Sequence, residues 1–283
     1  MTARLQSDES FTLGVRRLLL EAADRLVQET DVHEVRLACK QIRAWLRLLR
    51  DAMDEPTFQR ENRAFRNIGR RFRASRDDKT LRDTIAGLKE TAPYRIDDDM
   101  IGNLSGGILS ERRVVTADDM DKVFARTRAD AQAAKARIIH LALGKVDLRK
   151  AMKRSWRLNL LSRRRAGRET GSEKTAALHE WRKQAKYLRF QIEILRDAWP
   201  GALDHLDHGL NKLTDDLGDD HDLAVLEQAL SDAQVQAGPA RPVIAAERRR
   251  HQKKAWRRAK RLYDDKPEAF ARAAASHWRQ WRQ

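Results

Sequence analysis

Apolar positions in this chain recur three and four residues apart in one segment after another, and no segment alternates strictly between apolar and polar over several residues. That period predicts helices over about Thr12 to Glu29, His33 to Met53, Glu61 to Ala74, Lys79 to Lys89, Asp118 to Gly144, Leu148 to Leu161, Ala177 to Trp199, Leu203 to Leu217, Asp220 to Ala233 and Arg241 to Tyr263, with a short one near Pro267 to Trp281. Only 13 glycines and 6 prolines punctuate 283 residues rich in Ala, Leu, Arg, Lys and Glu, so the expected fold class is all-α. Two stretches break the pattern. Thr91 to Thr116 holds Pro93, Gly102, Gly106 and Gly107 without a sustained period, and Arg163 to Thr175 (RRRAGRETGSEKT) is polar and uncommitted, dividing the chain into halves. Thr116, followed by Asp118 and Asp119, reads as a helix N-cap with acid in the first turn.

The halves resemble each other. Val32 to Met53 (VHEVRLACKQIRAWLRLLRDAM) laid over Leu178 to Trp199 (LHEWRKQAKYLRFQIEILRDAW) gives identity at nine of 22 positions, including His33/His179, Glu34/Glu180, Arg36/Arg182, Lys40/Lys186 and Arg43/Arg189. Phe72 to Ile85 lies over Leu217 to Leu230 at nearly the same offset, pairing Asp77 with Asp222 and Leu81 with Leu226. A helical unit is therefore expected twice, as two antiparallel bundles with pseudo-two-fold symmetry.

At about 100° per residue, Trp181, Ala185, Leu188, Ile192 and Leu195 fall within roughly 260° to 340° of Leu178, a stripe for packing. His179, Arg182, Lys183, Lys186 and Arg189 fall within roughly 20° to 140°, an adjacent stripe that is entirely basic. The first copy repeats this: Val32, Val35, Cys39, Ile42, Leu46 and Leu49 pack, while His33, Arg36, Lys40, Arg43 and Arg47 share the basic face. Such a row spans roughly 15 Å, and its like charges repel by about 0.2 to 0.5 kcal/mol per pair unless an anion or an acidic neighbour answers them. A third row, Arg63, Arg66, Arg70 and Arg73, stands beside Phe65, Ile68 and Phe72. Its second-half counterparts, His208, Asn211, Asp215 and Gly218, are not equally basic, so any pocket should draw more charge from the first half. Arg126, Arg128 and Arg137, and later Arg248, Arg249 and Lys253, are further candidates on the last helices of each half, but they are less constrained by pattern and read mostly as solvated-face residues.

Charge sharpens the picture. Lys plus Arg is 58 against 42 Asp plus Glu, a formal net charge of +16. Arginine supplies 42 of those cations, and its planar fork meets phosphate oxygens in pairs where an ammonium is a point charge. No apolar run approaches the ~20 residues of a membrane span. The start, MTARLQSDES, meets acid before any apolar stretch, unlike a secretory signal, and the single Cys39 agrees with a reducing compartment. A cytoplasmic protein is the expectation.

The duplicated VHEVRLACKQIR and LHEWRKQAKYLRF, with RASRDDKTL and LGDDHDLAVL after them, resemble the CHAD family (conserved histidine α-helical domain) over about Asp8 to Arg279. The resemblance implies one CHAD domain built from two bundle halves, here 8–165 and 172–283, around a central basic channel that binds inorganic polyphosphate. It carries the signature histidine onto His33 and His179, and the basic followers onto Arg36, Lys40, Arg43, Arg182, Lys183, Lys186 and Arg189. Two departures stand out: Leu37 occupies the first-half position of Lys183, and Phe190 replaces the usual tyrosine after the second motif. Arg73, opposite Gly218, adds a candidate ligand.

An enzyme would need a nucleophile, an acid/base pair or a metal. Asp215, Asp219, His221 and Asp222 are the best candidates for a hard metal, but the repeat partner of His221 is Arg76 and that of the neighbouring Asp220 is Ser75, which suits structural Asp pairing at Asp77 and Asp222 better. No phosphate-cradling Gly-rich loop or His-Glu-x-x-His helix occurs. The expectation is a binding protein without catalytic residues, metal or cofactor, its partner polyphosphate and its location cytoplasmic, including on polyphosphate granules. His33 and His179 are read as phosphate donors, with imidazole protonation tightening binding between about pH 8 and 6. The alternative is a protein that grips the RNA or DNA backbone, since any phosphate-neutralising channel attracts nucleic acid. Single-strand binders interleave aromatics with the cations, whereas Trp45 and Trp181 fall on the packing side. A membrane partner is not expected: the C-terminal HWRQWRQ is too short to anchor stably.

Overall fold

The computed structural model describes residues 3–92, 94, 96–109, 116–235 and 237–283, the side chains at 74–76 and 109 excepted. Among them run eleven α-helices and no strand: α1 (Phe11–Gln28), α2 (Val32–Leu48), α3 (Glu55–Arg71), α4 (Arg73–Thr91), α5 (Asp98–Leu109), α6 (Ala117–Ile139), α7 (Leu148–Arg168), α8 (Gly171–Glu193), α9 (Ala202–Asp232), α10 (Ala240–Leu262) and α11 (Pro267–Trp281). Short polar side chains open many of them by accepting the amide hydrogens a first turn cannot satisfy internally. Ser10 caps α1, Asp31 α2, Asp54 α3 and Asp147 α7. Thr116 forms a full capping box with Asp119 at the start of α6, as its sequence suggests. The same tripeptide, Arg-Asp-Ala, tightens into a 3-10 turn after α2 (Arg50–Ala52) and again after α8 (Arg196–Ala198).

Helices α1, α2, α3 and α6 pack in a closed ring, each against the next. In the second half α7, α8, α9 and α10 pack in succession, and α11 lies on α7. The stripes expected to pack do so: Val35, Cys39, Ile42, Leu46 and Leu49 on α2 and its following turn, and Trp181, Ala185, Leu188, Ile192 and Leu195 on α8, are buried. One apolar core runs through both halves. It is crossed at the α2/α8 contact by Trp45 Nε1, donating to the Phe190 carbonyl at 3.0 Å, and Gln191 Nε2, donating to the Ala44 carbonyl at 2.9 Å. A smaller apolar cluster joins α4 and α5 to the end of α9 and the start of α10 through Leu81, Ile85, Leu104, Leu226, Leu230 and Ile244.

Several expectations need correction. Helices α3 and α4 each begin six residues before the expected Glu61 and Lys79, and α3 ends at Arg71 rather than Ala74. The Thr91 to Thr116 stretch contains α5, whose Leu104 and Ile108 are buried against the smaller cluster; Pro93 and 110–115 lie outside the described residues. The break at Arg163 to Thr175 shrinks to Glu169 and Thr170, because Ala166 buries a further turn of α7 and Arg165 pairs with Glu169 and Glu173. Leu203 to Ala233 is one helix rather than two, since Gly218 continues the α-helical bonding and serves a close approach.

Candidate functional site

Two contacts frame a cleft of about 1570 Å³: α2 against α8, and α4 against α9. Its walls come from α2, α3, α4, α8, α9 and α10. From α2 come His33, Arg36, Lys40 and Arg43; from α3, Arg66 and Arg70, with Arg73 at the start of α4; from α8, His179, Arg182, Lys183 and Lys186. Eleven of the fourteen candidate residues named from the sequence thus meet around one space. Among the described residues the lining holds thirteen arginines and lysines against four carboxylates, Asp31, Asp77, Asp222 and Glu227, so the recess is strongly cationic.

The remaining three candidates lie elsewhere. Arg189 leaves the cleft for Asp207 on α9, at 3.0 Å. Arg63 sits midway along α3, where that helix faces α6, in a shallow recess shared with Arg60 and Arg137. Arg47 is folded inward: its guanidinium lies 3.9 Å from the centroid of Tyr187 and donates to Asn62 Oδ1 at 3.1 Å, and burial pushes its pKa down to about 10.

Local partners hold many of the cations in place. Arg36 Nη1 donates to the Gly69 carbonyl at 2.8 Å, tying α2 to α3. Arg43 Nε donates to the same Asn62 oxygen at 3.1 Å. Burial lowers the pKa of Arg43, and the positive fields of Arg66 and Arg70 add to that shift although Tyr187 opposes it. Crowded, partly desolvated cations of this kind gain most from an incoming anion. Arg73 pairs with Asp77 at 3.2 Å, the structural role the sequence assigns to that aspartate. Lys183 pairs with Glu180; burial pushes that carboxyl up, but bonds from Lys183 and Gln184 bring it below the usual carboxylate range.

The cleft also takes in residues outside the three rows, among them Lys79 of α4 and Lys174 of α8. Tyr187 lines the cleft beside Arg43 and Arg47, at a position that reads as neither packing nor basic. His221 stacks on His179, centroids 4.3 Å apart, whereas Asp219 faces His251 on α10 at 3.2 Å; the acidic cluster considered as a metal site is thereby split between two faces of α9. Among the described residues no group of three His, Cys, Asp or Glu could hold a metal. Arg248 and Arg249 of α10 also line the cleft, although the sequence gives them no repeat partner to mark them. Arg248 is set by Asp220 at 3.2 Å, Glu227 at 2.6 Å and Thr175 Oγ1 at 2.9 Å.

Fold and cleft together define an all-helical protein whose central recess is walled by guanidinium, ammonium and imidazole groups. The chain belongs to the CHAD domain family, whose profile matches residues 12–231, from α1 to the end of α9. CHAD domains in general bind polyphosphate. No curated protein matches the chain. No helix among the described residues is long and apolar enough to cross a membrane.

Proposed function

We propose that this protein binds inorganic polyphosphate in the cleft, as a binding protein rather than an enzyme, and that its halves descend from one duplicated helical unit lining a basic channel. The convergence of the α2, α3 and α8 rows on one recess carries this reading. Each row is a line of cations on a rigid helix, matched to a linear anion with a charge at every phosphate. Membership in the CHAD family supports it. The duplication draws support from the two hydrogen bonds at the α2/α8 contact, Trp45 to Phe190 and Gln191 to Ala44, which exchange places when the sequence repeats are superposed. Polyphosphate contact of this kind would also localise the protein to polyphosphate granules.

Nucleic acid shares the phosphate chemistry but needs somewhere to put its bases. Trp45 and Trp181 are fully buried, and the Tyr187 ring is covered by Arg47, so these rings offer no open stacking platform.

The deciding experiment is a titration near ~150 mM salt with long-chain polyphosphate, triphosphate, orthophosphate and single-stranded RNA of matched total charge. Polyphosphate is expected to bind tightest, with affinity rising with chain length, and RNA far more weakly. RNA binding as tight as polyphosphate would replace this reading with the nucleic-acid one. Replacing Arg182 and Lys186 together with Ala should abolish binding with helicity intact, whereas Arg189→Ala should leave affinity unchanged.

A further inference from the structure

The outward face of α10 carries a cationic row that extends beyond the cleft. Arg249, Lys253, Arg257 and Lys260 follow at intervals of four, four and three residues, which places them within an arc of about 80° on the helix. All four are exposed. Two arginines on other faces of α10 are engaged within the protein, Arg250 by Glu247 and Arg258 by Asp216. No carboxylate among the described residues forms an ion pair with any of the four. The acidic ridge of α9 lies on the opposite flank, where it meets Arg258 and His251. On the other side, where the Trp256 ring packs against Gly167 of α7, Arg163 brings a further guanidinium to 5.8 Å from that ring.

This row is continuous with the cleft. Arg249 belongs to both, so the line of cations begins at the cleft wall and runs roughly 16 Å along α10 toward its C-terminal end. Four like charges on one exposed arc repel one another, and no carboxylate among the described residues pairs with them to offset that repulsion.

We propose that the row is an external track for the emerging end of a long polyphosphate chain, which leaves the cleft at Arg249 and continues along Lys253, Arg257 and Lys260. The inference rests on the polyphosphate reading of the cleft and extends it: the cleft supplies recognition of the phosphate chain, and α10 supplies part of the preference for length.

The test replaces Lys253, Arg257 and Lys260 together with Ala, leaving Arg249 and the rest of the cleft intact. Affinities are measured for long-chain polyphosphate, for an oligophosphate no longer than the roughly 15 Å cation row on α2, and for single-stranded RNA. The triple variant is expected to bind the long chain about tenfold more weakly, with a log–log salt dependence shallower by about 2, as loss of three phosphate contacts on a single-stranded polyanion implies. Its affinity for the short chain should match that of the unaltered protein, which also shows that the variant is folded. Equal weakening of both chains, no weakening of either, or weakening confined to RNA would overturn the track. If the unaltered protein binds neither phosphate chain, the cleft reading fails and the track with it; intact short-chain binding with an unchanged long-chain affinity removes the track alone.

Discussion

The Arg182 guanidinium lies close against α9 at Gly218, where no side chain stands in its way. A Cβ there would stand 2.6 Å from Nη2 of Arg182 and 3.1 Å from its Cζ. Gly218→Ala is therefore expected to push the Arg182 head aside and weaken polyphosphate binding. The helix itself gains roughly 1 kcal/mol in propensity from the same change, so the melting temperature should hold or rise. A titration paired with a thermal melt checks this; reduced affinity together with reduced stability would instead make Gly218 a packing residue. The basic rows were legible because helical geometry alone puts His33, Arg36, Lys40 and Arg43 on one face. Which members of a row reach the cleft was not legible. Arg189 and Arg182 fall close together around α8, yet Asp207, brought alongside by α9, captures one and not the other.

At the scale of elements, α11 packs on α7 through the stacked Trp156 and Phe270 rings, and one carboxylate adds a charged tie. Glu268 takes both Arg149 and Lys153, the latter at 2.6 Å, and those two bonds lower its pKa to about 2 from an ordinary 4.5. A carboxyl whose folded pKa is depressed stabilises the fold above its unfolded pKa and loses that contribution as pH falls through the folded value. The difference in melting temperature between the unaltered protein and Glu268→Gln should therefore be steady above about pH 5 and shrink to a small fraction of that value by pH 2. An undiminished difference at pH 2 would mean the side chain acts by packing. Helix positions followed from period and caps, with α10 and α11 close to their expected spans. The misread elements share a cause: α5, the last turns of α7 and the middle of α9 are polar or glycine-bearing locally and are helical because a partner surface covers them. Leu104 on α5, Ala166 on α7 and Leu217 beside Gly218 all find that cover only in the assembled fold.

At the scale of the whole molecule, the halves share one core. Trp45 of α2 is fully buried and hydrogen-bonded to α8, and Arg154 of α7 donates to the Arg47 carbonyl at 2.6 Å while pairing with Asp51 at the same distance. Separation would expose this shared apolar contact and leave polar groups on both sides without partners. The chain is therefore expected to unfold in a single denaturant transition, coincident by tryptophan fluorescence and by circular dichroism, and separately produced fragments ending and starting near Glu169 should not fold cooperatively. Two resolved transitions would show that each bundle is stable alone.

What the sequence determined by itself was local: helical class, the duplicated motif, the basic faces and the caps, all set by spacing along the chain and by side-chain chemistry within a turn or two. The tertiary structure decided which charges share a space. It turned α2, α3 and α8 toward one cleft, added Tyr187, Arg248 and Arg249 to its walls, withdrew Arg47 and Arg189 into internal partners, and left Arg63 on another face. The reason is physical. A periodic row specifies the direction of a side chain around its own helix, whereas its neighbours across the cleft depend on how helices far apart in sequence pack against a common core.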